Sequence, residues 1–264
     1  MLPGPYPGNR NSGAGNALGR TARSGRIAYG NLPHHHRRGQ DFRRLLPRNY
    51  TMGYDKAKRL ALWAAYPLHS CYTQGISRER HWGYDPTLAP GEQMAGGVSA
   101  PYNRGHQVAN ADRRVSNLAN DQISYYSNMT AQRSNFNSGV WAALEGRVRG
   151  WMCADTLYVV TGCHFDGSQT STIDNGGNTL PVPTQYYKVL LRSKNGSTGR
   201  SVASLPADEL QAIGFWYEHT ESSGQNPAGC AKSVSEIERL CGFEFFVNVP
   251  NAPKASYLPS DWGL

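Results

Sequence analysis

The sequence predicts an α+β fold: a central, largely antiparallel β-sheet flanked by helices. Three observations predict it. Apolar runs of strand length recur at Leu60–Leu68, Thr156–Cys163 and Ala212–Tyr217. Helical patterns do not alternate with them in the way that βαβ units would require, and no internal repeat divides the chain. With 264 residues, 39% of them hydrophobic and 11% aromatic, the chain can bury a sizeable core. Its longest apolar run, Leu60 to Tyr66, is far too short to cross a bilayer, so no membrane partner is expected.

Charge divides the chain in two. Of the net +8, residues 1–50 carry everything, with nine arginines against one aspartate. Residues 51–264 hold 18 basic and 18 acidic residues. Residues 1–50 are therefore expected to form a basic, mostly disordered arm, because a stretch rich in Gly, Pro, Asn and Arg cannot bury enough surface to offset its chain entropy. Within it His34-His35-His36-Arg37-Arg38 is expected to be a solvated polar tract. One domain is expected over 51–264. A smaller basic excess lies at 78–149, with eight arginines against six acids. No charged n-region followed by an apolar h-region opens the sequence.

The elements follow in order. Leu60–Leu68 is expected to be a buried strand ending near Pro67. Ser77–Trp82 with Asp85-Pro86 is a polar segment entering a Gly/Pro-rich loop. Tyr102–Gln107 belongs at or near a strand, and Asp121–Gln132 has no regular pattern. A helix is expected from about Asn137, its N-cap, with Val140, Leu144, Val148 and Trp151 on one stripe and Glu145 and Arg149 a turn apart beside it. Thr156–Cys163, Pro181–Leu191 and Ala212–Tyr217 are further strands. Ser233-Val-Ser-Glu236 has capping-box spacing, and its helix should stop at Gly242.

Five cysteines, Cys71, Cys153, Cys163, Cys230 and Cys241, show no C-x-x-C pairing, which argues against a structural zinc site. Two disulfides would suit an exported protein and five thiols a cytosolic one. Cys230 and Cys241 could close a small loop, and Cys71 could pair with Cys153 or Cys163.

In fewer than fifty residues the chain then collects Tyr102-Asn103-Arg104-Gly105-His106-Gln107, Ser127-Asn128-Met129-Thr130, Asn137, Glu145 and Arg149. A neutral imidazole can take a proton from water near pH 7, carboxamide and carboxylate oxygens suit a hard cation, and guanidinium groups suit phosphate. An isolated histidine is usually structural; this company points instead to phosphodiester cleavage. Together with Tyr158-Val-Val-Thr-Gly162, Val182-Pro-Thr-Gln-Tyr-Tyr-Lys188 and Ser233-Val-Ser-Glu-Ile-Glu238, these segments resemble the DNA/RNA non-specific endonuclease family, the ββα-metal or His-Me finger nucleases related to endonuclease G. The resemblance covers most of residues 51–250 and leaves the arm outside.

The resemblance implies the following roles. His106 is the general base, and Asn137 is the one protein ligand of Mg²⁺, for which Mn²⁺ could substitute. Glu145 holds the ion's waters. Arg80 stabilises the crowded phosphorus centre, Arg104 and Asn128 shape the site by hydrogen bonds to water or phosphate, and Arg149 lies near the scissile phosphate. DNA and RNA are the implied substrates, cut to 5′-phosphorylated products. An extracellular or periplasmic location is expected, and a homodimer is left open. One departure stands out: Asn103 occupies a position where the family motif usually has Asp. That departure, with the basic arm, supports an alternative, a nucleic-acid-binding protein of weak or no activity. A phosphodiesterase acting on small nucleotides would use the same chemistry.

Overall fold

Seven strands make one antiparallel sheet in the order β1-β2-β3-β6-β9-β10-β11. They are β1 (Phe42–Leu45), β2 (Thr51–Asp55), β3 (Leu60–Leu68), β6 (Leu157–His164), β9 (Gln185–Ser193), β10 (Leu210–Glu218) and β11 (Ala231–Lys232). The remaining strands form two small pairs, β4 (Tyr102–His106) with β5 (Met129–Arg133) and β7 (Ser171–Ile173) with β8 (Thr179–Pro181). The computed structural model describes residues 42–45, 49–77, 81–221 and 224–264. The α+β architecture expected from the sequence is the one observed.

β3, β6 and β9 are buried along nearly their whole length, as central strands covered on both faces must be. Pro67 lies inside β3, not after it: its register partner is Tyr158 on β6, while the pairing with β2 stops at Ala65. A proline is tolerated where no neighbour needs its missing N–H. Successive residues of β9 serve opposite faces of the sheet. The Tyr186 ring meets Phe136 and Trp141 on one side, and the Tyr187 ring meets Phe245 on the other.

The first of those faces is covered by a chain segment with three parts. These are a short turn α3 (Ser134–Phe136), a wide π-helical turn (Asn137–Trp141) and the helix α4 (Ala142–Gly150). Asn137 has helical torsions (φ −59°, ψ −48°) and is not an N-cap, and Gly139 (φ −99°, ψ −108°) kinks the segment between the short turn and α4. The wide turn also moves the buried stripe. Phe136, Trp141, Leu144, Val148 and Trp151 are buried, the first two five positions apart, and Val140 is only partly covered.

The opposite face carries α6 (Val234–Cys241), which has the expected capping box: Ser233 Oγ accepts from Glu236 N, and the Glu236 carboxylate accepts from Ser233 N. It ends at Gly242 with φ 76°, a left-handed conformation that a side chain would strain.

Three expectations need correction. Asp121–Gln132 is not irregular: it contains the end of α2 (Asn117–Ile123) and most of β5. Its polar residues Thr130 and Gln132 are fully buried, so tertiary contacts and not an apolar pattern make this strand. Pro181–Leu191 divides into β8 and β9. The domain also begins before residue 51. Tyr50 is in the core and donates to Gln122 O at 2.8 Å, and β1, inside the segment expected to be an arm, pairs with β2. Residues 1–41 and 46–48, with the rest of the arm and its histidine run, lie outside the described residues. The five cysteines are all unpaired, so neither suggested disulfide forms. Among the described residues no helix is long and apolar enough to cross a membrane.

Candidate active site

β4 and β5 pair over five residues, Tyr102 with Arg133 through His106 with Met129. At Gly105 an added Cβ would lie 2.1 Å from Gln132 Cδ; the buried glutamine occupies the space that a side chain would need. Along β4 the pleat places Arg104 and His106 on one side and Asn103 and Gly105 on the other. Asn103 is exposed.

Trp82 joins Arg104 and His106. Its ring centroid is 5.4 Å from that of the imidazole, and the Arg104 guanidinium carbon lies 4.0 Å over its face. Trp82 rests in turn on a small apolar cluster of Met94, Met129 and Leu180. A guanidinium stacked on an aromatic face keeps its in-plane donors directed outward, where a phosphate can meet them. Before the fold is known, nothing marks Trp82 beyond a large ring set in a polar segment.

Behind His106 the chain is locked by Asn128. Its Oδ1 accepts from Val108 N at 2.9 Å, its Nδ2 donates to the carbonyls of Val108 and Ile123, and its own carbonyl accepts from Gln107 N. The side chain is fully buried and wholly engaged with backbone. Asn128 therefore ties the chain that carries His106 to the end of the preceding helix.

The segment that carries Asn137, Glu145 and Arg149 is tied to the flanks of β4 at both ends. At its start Ser134 donates through N and Oγ to Pro101 O, immediately before β4. At its end Arg149 Nη1 meets Asp112 Oδ1 at 3.0 Å, six residues after His106. Residues 137–149 must therefore run back past the strand that bears His106. Arg149 thus pairs with Asp112, not with Glu145 one turn away.

Asp112 is buried and also accepts from the Tyr66 hydroxyl at 2.8 Å. Burial and that carboxylate together push the Tyr66 hydroxyl well above its usual pKa, so it remains a donor. Half-buried Glu145 adds its charge to the same neighbourhood.

Asn137 is half-buried, and its carboxamide makes no hydrogen bond to a described residue. Among the described residues no three His, Cys, Asp or Glu side chains gather around a point that could hold a metal. A single free amide oxygen suits an ion that keeps most of its water, as Mg²⁺ does, and does not suit zinc. Arg80 lies outside the described residues. Asp112 and Lys188, both buried beside this segment, were not legible as site residues, because nothing in their sequence neighbourhoods sets them apart.

A strand–strand–helix unit of this kind, with His106 on the first strand and Asn137 at the start of the helical segment, can be compared with known proteins. The chain matches the DNA/RNA non-specific endonuclease family over residues 34–252. It belongs to that family. The match starts inside the segment that the sequence resemblance left out, in keeping with the pairing of β1.

Among its non-specific endonuclease relatives, a nuclease of Serratia marcescens is 26% identical over 217 residues, 78% of this chain and 76% of that protein. The mitochondrial nuclease EXOG of Homo sapiens is 26% identical over 212 residues, 75% of this chain but 55% of that protein. A nuclease of Syncephalastrum racemosum is 33% identical over 169 residues, 56% of this chain and 53% of that protein. A solved chain of the EndoG/EndoGI complex superposes with a TM-score of 0.66 at 20% identity, covering 89% of this chain and 98% of that one, and so shares the fold. As a non-specific endonuclease, the chain is a hydrolase acting on nucleic acid.

Proposed function

We propose that this endonuclease cuts DNA and RNA by metal-assisted hydrolysis, with His106 as general base, and leaves 5′-phosphorylated ends. The observation that supports it most is the double tether. A helical segment bearing a free carboxamide, a carboxylate and an arginine is fixed along the strand that bears the imidazole. His106 takes a proton from water as that water attacks phosphorus in line, which is within reach of a neutral imidazole near pH 7. Asn137 would hold Mg²⁺, or Mn²⁺ in its place, with Glu145 holding the ion's waters. When bound, the ion supplies charge that polarises the phosphate and steadies the leaving 3′-oxygen.

Arg104, stacked on Trp82, and Arg149, held by Asp112, bind phosphate oxygens from fixed positions, and Arg80 would favour the extra charge of the transition state. Contacts of this kind go to backbone and carry no sequence information, so single and double strands of either sugar are substrates. The test is cleavage of plasmid and of RNA in Mg²⁺ or in EDTA, by wild type and by His106→Ala. Cleavage should require the metal, and the variant should lose about two to four orders of magnitude in rate. Cleavage by the variant within about threefold of wild type would remove His106 from the mechanism.

A further inference from the structure

Among the described residues Lys188 is the one buried ammonium group, and no part of the mechanism uses it. It lies in the middle of β9, opposite Thr161 on β6 and Phe215 on β10, and it is 1% exposed. Its Nζ donates to Thr161 Oγ1 at 3.1 Å and sits 4.5 Å from the centre of the Trp141 ring. Trp141 closes the wide turn that begins at Asn137 and precedes Glu145 by four residues. Lys188 therefore lies directly beneath the segment that carries the candidate metal ligand and its neighbouring carboxylate.

An apolar side chain of similar length would fill this space without a desolvation penalty, and one hydroxyl and one ring face are thin compensation for a buried cation. Burial does pull the pKa of the amine down, while the charges of Glu145 and Asp112 support its protonated form and that of Arg149 opposes it. Glu145, Asp112 and Arg149 are thus the charges that bear on Lys188, which approaches the segment from the sheet.

We infer that Lys188 is a positioning residue for the nuclease reaction: from beneath Trp141 its ammonium holds the Glu145 side of the helical segment in its working arrangement. Removing the charge leaves Glu145 and Asp112 to compete for Arg149, and the carboxylate shifts toward that guanidinium. Because Lys188 is buried, it contributes nothing to capture of the polyanion, which falls to the exposed arginines. The inference rests on the proposed roles of Asn137 and Glu145 for its effect on turnover, but not for its effect on folding.

The experiment is a double-mutant cycle between Lys188→Met and Glu145→Gln, read in two ways. One readout is urea unfolding in EDTA, and the other is kcat and KM on plasmid in Mg²⁺. Lys188→Met should lower kcat about tenfold or more with KM within about twofold, and in the Glu145→Gln background it should cost less than about twofold. The urea midpoint should show the same coupling, the second substitution lowering it little further. Thr161→Val, which removes the hydroxyl under the ammonium but keeps the charge, should give a smaller loss of kcat of the same kind. If Lys188→Met does not fold, the cycle of Thr161→Val with Glu145→Gln replaces it. Independent losses that multiply in the double variant would overturn the inference. So would coupling in unfolding without coupling in turnover, which would make the pair structural only. Failure of the nuclease reading itself is separate: it shows as metal-independent cleavage or an active His106→Ala variant.

Discussion

The seven-stranded sheet and the β4–β5 pair are both antiparallel, yet they are held together differently. In the sheet, apolar side chains on both faces of β3, β6 and β9 exclude water, and the register follows from burial. In the pair, Gln107, Asn128, Thr130 and Gln132 are buried and polar, and many of the defining contacts are directional: Asn128 to Val108 and Ile123, Tyr186 Oη to Thr130 Oγ1, Gln107 Nε2 to Ala61 O. Apolar burial stabilises by area and tolerates small shifts. Directional hydrogen bonds add less net stability each but fix where a group points. The imidazole proposed to do chemistry sits on the second kind of structure.

The largest test of the difference acts at the seam between the two regions. His219, just beyond β10, accepts from Arg133 N through Nε2 at 2.7 Å and donates to Pro183 O through Nδ1 at 2.7 Å. Burial holds its pKa down, to about 4. A histidine whose pKa is lowered by folding binds fewer protons folded than unfolded between about 6.5 and 4, so stability rises with pH across that window. Acidification from pH 6.5 to 4 should therefore remove about 3 kcal/mol of unfolding free energy. Urea titrations across that range should show the slope in wild type and a flatter one in His219→Asn; equal slopes would mean that the imidazole is not the joint.

Asn128→Ala comes next. It leaves a buried N–H and two buried carbonyls without their partner, at a cost of about 2 kcal/mol, and it frees the chain behind His106. Turnover should fall along with stability, because the carboxamide holds the backbone behind His106. Full turnover per folded molecule would show that the directional bonds stabilise the pair without aiming it.

The smallest effect is expected at Asn103. It is exposed and on the opposite side of β4 from His106, so Asn103→Asp should change the Mg²⁺ requirement modestly, lowering the concentration for half-maximal rate, with a similar maximal rate. Metal titrations of both proteins on one DNA substrate decide it. A gain confined to saturating metal would contradict this account of the position.

The same contrast explains what could be read from the sequence. The apolar strands Leu60–Leu68 and Ala212–Tyr217 announce themselves, because burial on both faces demands an unbroken apolar run. The capping box at Ser233 and the stop at Gly242 are equally legible, being local hydrogen-bond and torsion requirements. β5 was not, since Thr130 and Gln132 look like solvent-facing residues until Tyr186 and Gly105 are placed against them. His106, Asn137, Glu145 and Arg149 could be named from their spacing and family likeness. Asp112, which fixes Arg149, and Lys188 could not, because what matters about them is a neighbour far away in the chain.

The wide turn at Asn137–Trp141 has a consequence for phase. An α-helix advances about 100° per residue, so residues eight apart, such as Asn137 and Glu145, would point about 80° from each other on an uninterrupted helix. In the wide turn Gly139 departs from helical torsions (φ −99°, ψ −108°), so the regular count is offset between Asn137 and Glu145. Phe136 and Trp141, five apart, come to face the sheet together by the same offset. Counting in fours from Phe136, as the apolar stripe invites, selects Val140 as the sheet-facing residue; one surplus residue passes that place to Trp141.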